Sequence, residues 1–484
     1  MLDRWTNQVA HGLAEAGVGE KGRIALLAKN TDRFFELLFG AAKANRVLVP
    51  ISWRLAPGEI ARVIDDAKAE MLFVGGGLEQ VVERVAGDLP TLKKVVYVDR
   101  DTGTDAYDQW RDSRSAVDPM VAVRVSDVAL QVHTSGTTGE PKGVQLTNHN
   151  LLSVLPETLR EYGNWTDRDV NLVCLPLSHV GGSLWGLAGC FVGATNIILP
   201  EPVPGEILRV MSEYRVTKTF LVPALIRFLL QTPAIEHLDL SSLSLLAYGG
   251  SPISTDLLSV ASARLRCDLG QLYGLSETTG GITYLTPQDH RHGPPHRLLS
   301  CGRPLCHVEL RIVDAQGQDL PAGEIGEIVC RSPQVMKGYW NRPEETASVL
   351  RAGWLHTGDA GYLDPDGYLY IHDRVTDMIV SGGENVYPGE VERVLLAHPA
   401  VADVAVIGVP DDVWGEAVKA CVVPTPNSEV TSADLVAFAG DRLAHFKLPK
   451  SVDFLEALPR NASGKVLRRE LRASHWPGGR RRVN

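Results

Sequence analysis

The chain has 484 residues, 44% hydrophobic and 22% charged, which is too long for one ordinary domain and balanced like a globular protein rather than a disordered one. A formal net charge of −10 argues against general nucleic-acid binding, and the basic end, Arg468-Arg469 and Arg480-Arg481-Arg482, reads as a solvated terminus. Seven scattered cysteines without a C-x-x-C pair fit reduced thiols, and no basic-then-apolar leader opens the chain, so a cytoplasmic location is expected.

Trp5, Val9 and Leu13 recur at helical spacing, and the stretch from Gly17 to Gly22 ends that helix. Ile24 to Leu27 is a short strand. Thr31 to Ala44 then places Phe34, Leu37, Leu38 and Ala41 on one helix face, and strands at Val47 to Ile51 and Met71 to Val74 bracket a helix near Pro57 to Ala67. This alternation predicts βαβ units and a parallel sheet. Asp99 to Val125 is polar and irregular, and is expected to cross the surface.

Val128 to Val132 reads as a buried strand that feeds Thr134-Ser135-Gly136-Thr137-Thr138-Gly139-Glu140-Pro141-Lys142-Gly143-Val144. Glycines let backbone N–H groups approach an anion, hydroxyls add donors, and Lys142 supplies a mobile point charge, so the loop suits phosphate. It matches neither of two familiar phosphate loops. Gly136 and Lys142 are spaced wrongly for G-x-x-x-x-G-K-[ST], with Gly143 after the lysine, and Gly136 and Gly139 do not make G-x-G-x-x-G.

Leu172 to Ser178 predicts a strand ending in His179, at the edge where open α/β sheets place ligands. The uncharged run from Val180 to Pro200 is long enough to span a bilayer, but its five glycines and the strand-like Asn196-Ile197-Ile198 favour a buried helix and a core strand. Helix, strand and helix follow at Ile207 to Tyr214, Lys218 to Val222 and Ala224 to Leu230. The strand Leu243 to Tyr248 runs into the turn Gly249-Gly250-Ser251-Pro252. In Gln271-Leu272-Tyr273-Gly274-Leu275-Ser276-Glu277-Thr278, the sequence offers a flat ring, a hydroxyl donor and a hard carboxylate oxygen.

His290, His292, His296, Cys301 and Cys306 cluster in a Pro/Gly-rich segment, but their spacing matches no common zinc pattern, and a surface loop is expected. Val308 to Val313 and Glu324 to Cys330 alternate as strands of a small β-rich subdomain. Thr357-Gly358-Asp359, Arg374, Thr376, Ser381-Gly382-Gly383-Glu384 and the turn from Pro459 to Lys465 complete the polar motifs. The last hundred residues read helix, strand, strand, helix.

Taken in order, these motifs closely resemble the adenylate-forming superfamily, which includes acyl-CoA synthetases, peptide-synthetase adenylation domains and luciferases. The resemblance runs from the first helix to Lys465, although the chain begins late, with no counterpart of the family's opening strands. It implies an α/β fold. A large multi-layer domain with parallel and mixed sheets and a β-rich subdomain would span residues 1–374, and a small mobile α+β domain residues 375–484.

The resemblance further implies that Thr134, Ser135, Gly136, Thr137, Thr138 and Lys142 hold the phosphates of ATP, that Gly249, Gly250, Ser251, Tyr273 and Gly274 line the adenine, and that Ser276 reaches the α-phosphate. Glu277 would ligate Mg²⁺, and Asp359 and Arg374 would take the ribose hydroxyls. His179, Gly182, Val222, Gly250 and Gly280 would border the acyl group. Thr376, where relatives carry Asp or Lys, would be the hinge, and Ser381, Gly382, Gly383 and Glu384 would line the coenzyme A tunnel. Lys465 would be the catalytic lysine.

The partners implied are a small carboxylic acid, ATP and coenzyme A. Neither nucleic acid nor an integral membrane segment is expected, while peripheral membrane association and a homodimer stay open. The small glycines and apolar neighbours favour medium-to-long acyl chains, with aryl or steroid-derived acids second. A ligase that loads a carrier protein also stays open. Lys465→Ala is expected to slow acid-dependent pyrophosphate exchange by roughly 100- to 1000-fold, with ATP binding and thermal unfolding close to those of the parent.

Overall fold

The computed structural model describes residues 1–476 except 86, 88, 100–105, 136–140, 252, 375, 376, 378, 382, 383, 412–414, 427, 441, 444, 461–463 and 465, and at residues 135, 157, 158, 372–374, 380, 384, 385 and 415 it describes the backbone alone. Gly136, Thr137, Thr138, Thr376, Gly382, Gly383 and Lys465 therefore lie outside the described residues. Packing divides the chain into two compact units. One comprises Met1–Leu310, Cys330–Leu355 and Gly367–Leu369, and the other Arg311–Val329, His356–Asp366 and Tyr370–Asn484.

Among the described residues the first unit holds two seven-stranded sheets. One runs Gly338–Tyr339, Pro141–Thr147, Val128–Ser135, Val47–Ser52, Arg23–Ala28, Ala69–Val74, Lys94–Tyr97. Its five inner and far strands are parallel and the first two antiparallel. The second runs Arg303–Pro304, Gly280–Leu285, Asp268–Leu275, Leu245–Gly249, Lys218–Leu221, Val170–Val173, Thr195–Ile198, again parallel apart from an antiparallel edge of two strands. Near-continuous burial along Arg23–Ala28 and Leu245–Gly249 is what strands covered on both faces require.

The helix–strand alternation expected for the first 74 residues is present, with helices at Leu2–Glu15, Arg33–Lys43 and Pro57–Ala67. The apolar run after His179 is a buried helix, Val180–Val192, followed by the strand Thr195–Ile198, and no helix among the described residues is long and apolar enough to cross a membrane. Two expectations change. The strand before His179 stops at Val173, because Pro176 lacks the N–H that a ladder needs, so His179 is instead the N-cap residue of the following helix. The segment from Asp99 to Val125 is not wholly irregular. Tyr107–Asp112 forms a short helix whose Tyr107 and Trp110 bury their rings against Phe73, a contact too brief to leave a periodic signal.

The histidine-rich segment also departs from a simple surface loop. Pro287–His292 is a helix, and His290 Nδ1 lies 2.8 Å from the Thr286 carbonyl, which can only accept. Nε2 is therefore the acceptor for the buried Tyr248 hydroxyl at 2.8 Å. Among the described residues, no group of three or more His, Cys, Asp or Glu side chains is placed to hold a metal.

Strands Glu309–Val313, Gly326–Arg331 and Trp354–Leu363, most of whose residues belong to the second unit, lie side by side, and Leu369–Arg374 pairs with the last of them. A further sheet orders Glu384–Val386, Ile379–Ser381, Gly415–Pro424 and Val401–Asp411, with Ser451–Phe454 beside Gly415–Pro424. Helices Pro388–Leu396 and Ser432–Gly440 close its core around Val391, Leu395 and Leu435.

One buried side chain ties the two large sheets together. Asn30, just past the strand Arg23–Ala28, donates from Nδ2 to the carbonyls of Leu175 and Leu199 at 3.0 Å each, and its Oδ1 accepts from the Leu177 N–H at 2.8 Å. It fixes the bend that leads to His179. Replacing Asn30 with Ala would leave three buried backbone groups without partners, each costing about 1–3 kcal/mol. Urea unfolding of Asn30→Ala should lose at least about 2 kcal/mol on that basis, and an unchanged midpoint would show that the bend stands without it.

Candidate functional site

The phosphate-loop strands form an antiparallel ladder in which Thr134 faces Lys142 and Ser135 faces Pro141. One hydroxyl and the loop's only lysine thus sit opposite each other where the ladder opens toward residues 136–140. Lys142 Nζ lies 2.5 Å from Glu345 Oε2 and 5.3 Å from the centroid of the Tyr339 ring. Tyr339 belongs to the edge strand Gly338–Tyr339, paired with Val144 and Gln145, and its hydroxyl donates to Glu277 Oε1 at 2.8 Å. One tyrosine therefore touches both the loop lysine of the first sheet and the carboxylate at the end of the second.

The turn that carries Ser276 and Glu277 is built to hold its shape. Gly274 must be glycine, since a Cβ there would fall 1.9 Å from the Gly280 carbonyl oxygen. Thr278 Oγ1 accepts from the Leu275 N–H at 2.8 Å and lies 2.7 Å from the Gly280 carbonyl. Thr279 takes a left-handed φ of 49° and donates to the Gln334 carbonyl at 2.6 Å, while Gln334 Nε2 donates to Thr278 and Gly281. The backbone N–H of Met336 bonds to the Glu277 carbonyl at 2.8 Å. Glu277 is thus held at its backbone and at one carboxylate oxygen, while the other oxygen makes no protein hydrogen bond among the described residues. Tyr273 is half-buried on the strand Asp268–Leu275.

Around His179 the strand ends converge as open α/β sheets dictate. A Cβ on Gly250 would lie 3.7 Å from Val222, one on Gly280 3.7 Å from Leu184, and one on Gly181 3.0 Å from the Phe220 ring. Gly250 thus neighbours Val222, Gly280 neighbours Leu184, and Gly181, two residues after His179, neighbours Phe220. Gly182 instead packs its bare Cα under the Leu175 and Pro176 carbonyls, and Gly249 under the Leu272 carbonyl, so both are small for backbone approach. Ser251 is exposed. His179 Nε2 is shielded from solvent and finds no hydrogen-bond partner among the described residues. Burial, with Arg54 adding to it, holds the imidazole below its ordinary value of 6.5, so it is neutral at pH 7.

Covalent catalysis by a buried thiol has little support, because burial pushes Cys174, Cys267 and Cys330 up to about 12.

In the second unit, Asp359 is buried and follows a turn pinned by one acid. Glu327 Oε2 lies 2.8 Å from His356 Nδ1, Glu327 Oε1 accepts from the Gly358 N–H at 3.3 Å, and Thr357 donates to the Ile328 carbonyl at 2.7 Å. Ser381 is buried and pairs with Glu384 across a hairpin, and the backbone of Arg374 ends the strand Leu369–Arg374. On either side of Lys465, Arg460 bridges to Val466, Arg460 Nη1 donates to the Gly464 carbonyl at 2.7 Å, and Nη2 pairs with Asp403.

A lysine and a carboxylate thus lie one tyrosine apart. The model of the AMP-binding enzyme family matches residues 1–340, and that of the AMP-binding enzyme C-terminal domain matches residues 390–465.

The chain belongs to the AMP-binding enzyme family.

Its relatives include a fatty acid–[acyl-carrier-protein] ligase, ScoC, of Streptomyces coeruleorubidus, 37% identical over 100% of this chain and 92% of that one. A feruloyl-CoA synthase of an Amycolatopsis species is 38% identical over 97% of this chain and 92% of its own length. Among solved structures, a Mycobacterium tuberculosis fatty acyl CoA synthetase is 34% identical, with a TM-score of 0.79 over 98% of this chain and 92% of the other. The adenylate-forming resemblance and the mixed α/β architecture read from the sequence both hold, and the chain is an AMP-forming acid–thiol ligase of this family.

Sequence reasoning missed Tyr339, Gln334, Glu345 and Glu327. The signals present, the aromatic pair Tyr339-Trp340 and the acidic Glu344-Glu345 after Pro343, gave no hint of which distant groups they meet.

For the histidines the pH sign is fixed. A His whose folded pKa lies below 6.5 binds fewer protons folded than unfolded, so its contribution to stability is present above pH 6.5 and is lost as pH falls below it. Burial shifts His290 the same way. Denaturant melts between pH 7.5 and 5 should show falling stability, with a shallower fall in His179→Gln than in the parent.

Proposed function

We propose that this AMP-binding enzyme is an ATP-dependent carboxylic acid–CoA ligase working in two steps. The observation that supports the reading is the Tyr339 bridge between Lys142 and Glu277, which sets a cation and a carboxylate on either side of one ring. In the first step a carboxylate oxygen attacks the α-phosphorus of ATP and pyrophosphate leaves, giving a mixed anhydride with AMP. In the second, the thiol sulfur of coenzyme A attacks the acyl carbon, the bond to AMP breaks, and the thiol proton is released. Activation is needed because a free carboxylate carries negative charge and a poor leaving group.

Thr134, Ser135, Gly136, Thr137, Thr138 and Lys142 are assigned to the phosphates, where charge on the leaving pyrophosphate must be offset. Tyr273 and Gly274, with Gly249, Gly250 and Ser251, are assigned to the adenosine side, Ser276 to the α-phosphate, and Asp359 and Arg374 to the ribose. Mg²⁺ suits Glu277. A single carboxylate with one oxygen tied and the other open is a fit for an ion that also binds substrate phosphates, and no all-protein cage is present among the described residues. Bound there, it would neutralise charge on the phosphate oxygens.

His179, neutral at pH 7 and with Nε2 unpartnered, borders the acyl group together with Gly182, Val222, Gly250 and Gly280. Lys465 is assigned to adenylation. Residues 375–484 form the lid in this reading, with Thr376 as its hinge and Ser381, Gly382, Gly383 and Glu384 facing coenzyme A in the second step. The acid is a medium- or long-chain fatty acid, in keeping with the apolar side chains of Val222, Leu184 and Phe220 beside Gly250, Gly280 and Gly181. The fatty-acid ligases among the relatives support that choice, and the feruloyl-CoA synthase makes aryl acids the alternative.

Pyrophosphate release should be measured with a panel of acids, with and without coenzyme A. The expected result is acid-dependent release whose turnover rises with coenzyme A and yields AMP and a thioester. Release that coenzyme A does not accelerate, with acyl transfer to a carrier protein, would replace the acceptor, and no acid-dependent release with any acid would overturn the reading.

A further inference from the structure

Lys142, assigned above to the phosphates, does not stand alone. Its Nζ is 2.5 Å from Glu345 Oε2, with the lysine side chain 16% exposed and the glutamate 37%. Glu345 is tied in turn to Arg342, whose Nε lies 3.5 Å from its other oxygen, and Arg342 Nη2 pairs with Asp66 at 3.2 Å. The far oxygen of Asp66 meets His133 Nε2 at 3.1 Å, one residue before Thr134. The succession of paired groups that starts at Lys142 thus runs Glu345, Arg342, Asp66, His133, and it ends on the strand that carries the loop. Trp340 Nε1 donates to the Asp66 carbonyl at 3.1 Å and its ring lies under the Arg23 guanidinium, so the segment 339–345 is pinned near its start.

A lysine committed to a carboxylate cannot give its full charge to a phosphate. We propose that Glu345 is a built-in competitor for the anion that Lys142 binds, exchanged for the β- and γ-phosphates when ATP enters and re-paired when pyrophosphate leaves. The exchange keeps the ammonium neutralised at both ends of the first step, so the loop is not left with a half-buried, unpaired charge that would hold the product back. The inference rests on the assignment of Lys142 to the phosphates. Glu345 on this view neither touches substrate nor takes part in bond making, and its effect runs through Lys142.

The test is calorimetric binding of Mg·ATP, pyrophosphate and AMP to the full chain carrying Glu345→Gln, beside the parent. Removing a partly exposed competing charge should tighten ATP and pyrophosphate about two- to fivefold, the range of one such ion pair, and leave AMP, which lacks the outer phosphates, unchanged. In a Lys142→Ala background the same substitution should have no effect. Unchanged or weaker binding of ATP and pyrophosphate would overturn the proposal, as would equal tightening of AMP. A gain that survives without Lys142 would assign the effect to the freed Arg342 and overturn it too. Should Glu345→Gln fail to fold, Glu345→Asp, whose shorter arm weakens the pair, should move both affinities the same way by less. A parent chain that binds both ligands yet shows no acid-dependent pyrophosphate exchange would sink the ligase reading and leave this comparison intact.

Discussion

Opposite charges must be held close to each other without collapsing into a pair, and the first unit solves this with Tyr339. Its ring lies beside the Lys142 ammonium and its hydroxyl binds one oxygen of Glu277, so cation and carboxylate share a neighbour instead of neutralising each other. The aromatic face satisfies the ammonium weakly, by about 0.5–2 kcal/mol, and the hydroxyl uses only one of the two carboxylate oxygens. The second oxygen of Glu277 keeps capacity for a ligand, whereas Lys142 is already paired with Glu345. Much of the surrounding structure serves this spacing: the Pro141–Thr147 strand fixes the lysine, the Gln334 amide fixes the turn of the glutamate, and Trp340 and Asp66 hold the segment between them.

His179, assigned above to the acyl side, obeys a different constraint. Its burial, with Arg54 adding to it, denies it a proton at neutral pH. A neutral imidazole whose Nε2 has no partner among the described residues could meet a carboxylic acid or its adenylate without adding charge. Asn30 belongs to the same logic at one remove, because it satisfies the backbone of the bend before His179 and thereby sets where the helix Val180–Val192 begins. Glycines near this site fall into two kinds. Gly250 and Gly280 leave room beside Val222 and Leu184, whereas Gly182 and Gly249 are small because a carbonyl oxygen occupies the place of a side chain.

Local chemistry wrote the rest into the chain. Helical and strand periods placed Pro57–Ala67 and Val47–Ser52 closely, since burial on one face or two leaves a repeat. Runs such as Thr134 to Val144 and Tyr273 to Thr278 are consecutive, so their chemistry could be read as it stands, and the order of the motifs identified the family. The short helix Tyr107–Asp112 and the early end of the strand before His179 were not legible, the first because six residues make no period and the second because one proline outweighed an apolar run.

What the sequence by itself determined is therefore the set of reactive groups, the alternation of helices and strands, and the family to which they belong. The tertiary structure alone decided who meets whom: Tyr339 reaches Glu277 across 62 positions, Glu345 reaches Lys142 from a helix of another segment, and Asn30 closes on Leu175 across 145. Such pairings depend on which sheet edges the fold brings side by side. They arise from packing two twisted sheets against shared helices, and a linear pattern carries no term for that distance.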